Sequence, residues 1–117
     1  MSKKERLCLA LIVDQFQVYD FDWLRLEITK DSPLTYHHII PRRKNGETTV
    51  ANGAPLTTFG HAYFHHIERK DSITAKQINR LFKQLNTTMQ PPTELYYEEL
   101  EYYLDKYENK RTRIYIK

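Results

Sequence analysis

Apolar positions crowd most sides of residues 4–16, a stretch free of Gly and Pro, and this predicts a first helix sunk in the core. Residues 18–28 mix two periods. Phe21, Trp23, Leu24, Leu26 and Ile28 alternate in part and follow a helical spacing in part, and Asp20 or Asp22 would cap a second helix there. Asp31-Ser32-Pro33 is a turn signal that closes this N-terminal part. Residues 36–40 form a short β-branched and aromatic run stopped by Pro41, which predicts a strand running into a loop. The loop, 42–46, is basic and polar and leads to a second, weaker strand within 48–56, with Asn52-Gly53 marking a turn or bend.

Thr57 or Thr58 offers an N-cap oxygen for a helix running to about residue 69. From Ile73 onward, Ile78, Leu81, Phe82 and Leu85 recur at helical spacing, and 86–92 end that helix. A last helix starts at Thr93, with Glu94 complementing its dipole and Tyr96, Leu100, Tyr103, Leu104 and Tyr107 forming one core-facing stripe. Beyond Asn109 the chain is basic, with Ile114 and Ile116 alternating, which suits a frayed tail or an edge strand. The pattern as a whole is helix, strand, loop, strand, then helices: an α-rich α+β domain over residues 1–117.

Composition narrows this picture. Hydrophobic residues make up 40% and charged residues 28%, with three Gly and five Pro among 117 residues, so the chain is globular rather than fibrous or disordered. A single cysteine, Cys8, excludes an internal disulfide and reads as a small buried hydrophobe. The basic start at Lys3-Lys4 before an apolar run imitates a signal peptide, but the run is short and meets Asp14 without a small-residue cleavage site. A cytoplasmic location without a membrane span is the expectation. Net charge is +3 and pI about 8.9, mild values whose distribution matters more than their size. Basic residues gather at the N-terminus, in Arg42-Arg43-Lys44 and in the tail, while acidic ones crowd 94–108.

The chemistry lies in the five histidines, which fall in two groups, His37-His38 and His61, His65, His66. On a helix, His61 and His65 share a face, so their imidazoles can converge on one ion. Neighbours in a strand point to opposite faces, so only one of His37 and His38 joins that ion readily, and the other faces a different partner. Three imidazoles on a divalent cation leave coordination positions open for a phosphate oxygen. A remaining neutral histidine can take a proton from water near neutral pH. The residues alone do not decide which of His37 and His38 does which. His66 lies about a quarter turn round the helix and is expected to leave the metal face, as a solvated or locally bonded side chain. Tyr36 and Tyr63 flank the histidines, as cleft lining or as packing.

Tyr36-His37-His38-Ile39-Ile40-Pro41, then Asn52, Leu56-Thr57 and His61-x3-His65, resembles the HNH endonuclease motif, in a spacing close to that of colicin-type and phage HNH nucleases. The resemblance covers about residues 34–69 and implies a ββα-metal unit, two strands and a helix clasping one ion, flanked by N- and C-terminal helices. It implies His37, His61 and His65 as metal ligands, His38 as general base, and Asn52 as the residue whose amide braces the loop behind the base. It further implies a metal-dependent hydrolase of nucleic-acid phosphodiesters, DNA in preference to RNA; three imidazole ligands favour Zn, Ni or Mn without fixing the catalytic metal, which Mg or Mn could equally supply. Arg42, Arg43 and Lys44 follow the first strand and read either as phosphate-binding residues or as a merely solvated basic loop. The rival expectations are a catalytically silent HNH-like module that binds nucleic acid or protein, and a structural ion with the histidines in place of a core; a mobile-element or phage setting rests on analogy.

Three departures stand out. Lys44-Asn45-Gly46-Glu47 replaces the Gly-Gly pair of many HNH loops, Gly53 stands where an apolar residue is usual and would let the second strand bend, and no CxxC pair supplies a structural zinc.

Overall fold

A computed structural model describes residues 1–116, with side chains through residue 109. Four helices, α1 (Lys3–Phe16), α2 (Thr58–Lys70), α3 (Ser72–Thr88) and α4 (Glu94–Ile116), surround a two-stranded antiparallel sheet of β1 (Leu34–His38) and β2 (Gly53–Thr57). The architecture is α+β. Short 3-10 turns at Arg42–Lys44 and Val50–Asn52 fill the connection between the strands. No described helix is long and apolar enough to cross a membrane.

The sheet register runs from Leu34 opposite Thr57 to His38 opposite Gly53. Strand side chains alternate between faces, which separates Tyr36 and His38 from Thr35 and His37. Tyr36 is buried and its ring meets that of His38, centroids 4.7 Å apart. His37 instead packs on Phe64 of α2 and Phe82 of α3, at 4.6 and 5.8 Å. The sheet is thus covered by helices from both sides, and one core joins Ile12 and Phe16 of α1 to Leu56, Phe64, Ile78, Phe82 and Leu100.

Several expectations change in detail. The first helix is not sunk in the core: Cys8, Leu9, Ile12 and Phe16 are buried, but Leu7 and Leu11 are 63% and 52% exposed. It begins in a capping box, Ser2 with Glu5. No second helix forms in 18–28. Asp22 is fully buried there, and its carboxylate accepts from the amides of Leu24, Leu26 and Thr57 and from the Thr57 hydroxyl, so the chain folds back on itself through a Phe21–Glu27 bridge. A carboxylate engaged by the turn that follows it is unavailable as a helix cap.

The first strand lies two residues earlier than expected, and the second starts only after the 3-10 turn that ends at Asn52. Gly53 does not bend that strand. Its backbone is extended, φ −109° and ψ 143°, and a β-carbon there would run into the Tyr36 ring and Ile12. Thr57 caps α2 by accepting from the Gly60 amide, and Asp71 caps α3 by accepting from Thr74. Thr93 caps α4, whose backbone stays helical through Ile116 instead of fraying or extending as an edge strand.

Candidate functional site

β1, the loop behind it, α2 and α3 enclose a cleft of about 170 Å³ lined by His37, His38, Pro41, Arg42, Arg43, His61, His65, Glu68 and Asn79. All four motif histidines line it, with two of the three basic loop residues. Lys44, on the same 3-10 turn as the arginines, is exposed and does not line the cleft. His66 leaves it as expected and packs near Tyr107, 6.4 Å between centroids. Tyr36 and Tyr63 also stay out of the lining: the Tyr36 hydroxyl donates to the Thr49 carbonyl, and that of Tyr63 donates to Glu108.

The three proposed ligand rings are neighbours. His61 and His65, one turn apart on α2, stack at 4.8 Å with 23° between planes. His37 lies 5.3 Å from His61 and 6.3 Å from His65, centroid to centroid. A nitrogen about 2.1 Å from an ion puts its ring centroid about 3.2 Å away, so two rings can share an ion up to a separation of about 6.4 Å. All three separations meet that bound, the last narrowly. The donor nitrogens themselves are not closed around a point: among the described residues no group of three or more His, Cys, Asp and Glu side chains is arranged to hold an ion.

Hydrogen bonds assign the tautomers of these rings. Thr35 donates its hydroxyl to the Leu56 carbonyl at 2.7 Å, so its oxygen accepts from His61 Nδ1–H at 2.9 Å and leaves the His61 lone pair on Nε2. Glu68 Oε1 lies 3.3 Å from His65 Nδ1, and a carboxylate only accepts, so the neutral His65 ring has its hydrogen on Nδ1 and its lone pair on Nε2. Asn79 donates Nδ2 to the Ile39 carbonyl, which turns its Oδ1 toward His37 Nε2 at 3.0 Å and leaves the His37 lone pair on Nδ1. Each ring therefore has one nitrogen held by a partner and one available to a cation. Partners of this kind orient histidines in metal sites, and the ring spacing, though not the present placement of the donor nitrogens, is compatible with one divalent ion.

Burial favours the neutral form of His37, His61 and His38. His37 is 4% exposed, and burial, only partly offset by the Asn79 bond, pushes its pKa down to about 3. Burial also lowers His61, with His65 and His38 adding to the effect. His38 is lowered by burial, opposed by the Glu5 carboxylate of α1 and assisted by Arg42. Its Nε2 lies 2.9 Å from the Thr48 hydroxyl.

Asn52 grips the chain just beyond His38. Its Oδ1 accepts from the Ile40 amide at 2.8 Å, its Nδ2 donates to the carbonyls of Ile40 and Glu47, and its own carbonyl accepts from Ile39. The loop without a Gly-Gly pair closes by other means. Asn45 takes the left-handed conformation at φ 66°, and Gly46 passes so close to the Ile40 and Pro41 carbonyls that no side chain fits. Arg43 meets Glu68 at 3.9 Å across the cleft.

Sequence reasoning did not single out Thr35, Thr48, Glu68 or Asn79. Thr35 and Glu68 stand two and three residues from His37 and His65, spacings that strand and helix geometry place on the same face. Asn79, 42 positions from His37, carries no such signal. Comparison of the chain with protein-family models, with curated proteins and with solved structures returns no match.

Proposed function

We propose that this protein is a metal-dependent endonuclease of the HNH type, with a ββα-metal unit built from β1, β2 and α2. The observation that carries the reading is the convergence of His37, His61 and His65, each with one nitrogen held by a partner and one left for a cation. Those three residues would hold a divalent ion, Zn, Ni, Mn or Mg, which when bound supplies Lewis-acid polarisation of a phosphodiester.

The rest of the chemistry belongs to the chain. His38 is the general base: burial lowers its pKa and favours the neutral ring that takes a proton from water, while the Thr48 hydroxyl holds its Nε2 edge. Asn52 fixes the backbone behind that base through its bonds to Ile40 and Glu47. Arg42 and Arg43 border the cleft and orient the phosphate, with Lys44 adding charge outside it. The substrate is nucleic acid, DNA in preference to RNA, and the chain acts in the cytoplasm.

Incubation of supercoiled plasmid with the protein and each of Mg, Mn, Ni and Zn tests the reading. Nicking or linearisation that chelator and His38→Ala both abolish is the expected result. An ion retained without cleavage would instead make the protein a silent binding module.

A further inference from the structure

The residue that holds His37 comes from outside the two strands and helix that carry the motif. Asn79 lies on α3, half-buried at the edge of the cleft, and its amide makes two bonds of fixed polarity. Nδ2 donates to the Ile39 carbonyl at 3.0 Å; rotating the amide by half a turn would set oxygen against oxygen there, so Oδ1 must be the atom facing His37. An amide oxygen only accepts, so the His37 nitrogen opposite it, Nε2, must carry the hydrogen. The His37 ring is wedged between Phe64 and Phe82 and is almost wholly buried, so little solvent can replace Asn79 as its partner. The same side chain also grips the peptide after His38, since Ile39 offers its carbonyl to Asn79 and its amide to Asn52.

We infer that Asn79 is a positioning residue that locks His37 in the Nε2–H tautomer and presents Nδ1 as its donor to the cation. The inference rests on the metal reading of the site for its purpose, but not for the tautomer. Asn79 needs no contact with ion or substrate; it acts through His37, as outer partners of metal-bound histidines do.

Two variants separate this role from packing. Asn79→Asp keeps an acceptor for His37 but sets a carboxylate oxygen against the Ile39 carbonyl in place of the donor, whereas Asn79→Ala loses both groups. Nitrogen-15 histidine spectra of the metal-free protein near pH 7 report which ring nitrogen of His37 bears the proton. The expected result is Nε2–H in the wild type and in Asn79→Asp, with that preference lost in Asn79→Ala. Zinc affinity measured by calorimetry should fall about ten- to a hundredfold in Asn79→Ala and hold in Asn79→Asp, whose carboxylate makes the ring a stronger donor. Both variants should melt below the wild type because both lose the Ile39 bond.

Protonation of His37 at Nδ1 in the wild type would overturn the inference. So would zinc affinities that fall equally in the two variants, in step with their melting temperatures. A wild-type protein that bound no zinc would sink the metal reading, and the spectra of the metal-free protein would still decide what Asn79 does to His37.

Discussion

Asp22 accepts hydrogen bonds from both the backbone amide and the hydroxyl of Thr57, 35 residues further along the chain, each at 2.8 Å. Thr57 is the cap of α2, so a buried carboxylate in the first loop anchors the start of the helix that carries His61 and His65. Gly60 completes the arrangement, since a β-carbon at that position would strike the same carboxylate.

Asp22→Ala should therefore cost stability heavily. It strands the buried amides of Leu24 and Thr57 and removes charge-assisted bonds, each worth roughly 1.5–3 kcal/mol. A loss of about 3 kcal/mol or more in urea unfolding is expected, and a loss below about 1 kcal/mol would deny the anchor its role.

Asn52→Ala should loosen the loop behind His38 without dismantling the core. The variant loses two donated bonds and one accepted bond that tie 40 and 47 together. Amide hydrogen exchange at Ile40 should accelerate while that of Phe82 and Leu85 stays protected, and nuclease activity should fall more than melting temperature does. Unchanged exchange at Ile40 would remove Asn52 from that task.

How much of this was legible in the sequence follows from where the determinants lie. The strand and helix carrying the histidines were readable because Pro41, Thr57 and the His61–His65 spacing are local signals, and the α3 and α4 stripes of Ile78, Leu81, Phe82, Tyr96 and Leu100 are buried as their periodicity predicts. The 18–28 segment was not, because its conformation is decided by Asp22 reaching across to Thr57, a contact with no local periodicity. The same holds for Asn79, which joins the cleft only because α3 packs against α2 and the sheet. Even α1 misled: its apolar residues exceed what the sheet can cover, so Leu7 and Leu11 face outward.

The metal-free protein should lose stability in acid. Unfolded histidine titrates near 6.5 and buried His37 at about 3, so below 6.5 the unfolded chain takes up a proton that the native state resists. The stability from keeping His37 neutral is fully present above pH 6.5 and is lost as pH falls toward 3, at up to about 1.4 kcal/mol per unit. His37→Phe should flatten that slope. An identical slope in wild type and variant would show that His37 does not set it.

His38→Ala and His61→Ala should fail in different ways. Removal of the base should abolish plasmid cleavage and leave zinc affinity near the wild-type value, because Nε2 of His38 is engaged by Thr48 and not by the ligand group. Removal of His61 should weaken both. Calorimetry and cleavage run on the same preparations check the split, and equal loss of affinity in the two variants would erase the distinction between ligand and base.

The central claim is that His37, His61 and His65 share one cation. Crystals grown with zinc and measured at the zinc absorption edge test it most directly. The account predicts a single anomalous peak about 2.1 Å from one nitrogen of each of the three rings, with His38 close by but unbonded. A peak held by His61 and His65 without His37, or no peak among them, would contradict it.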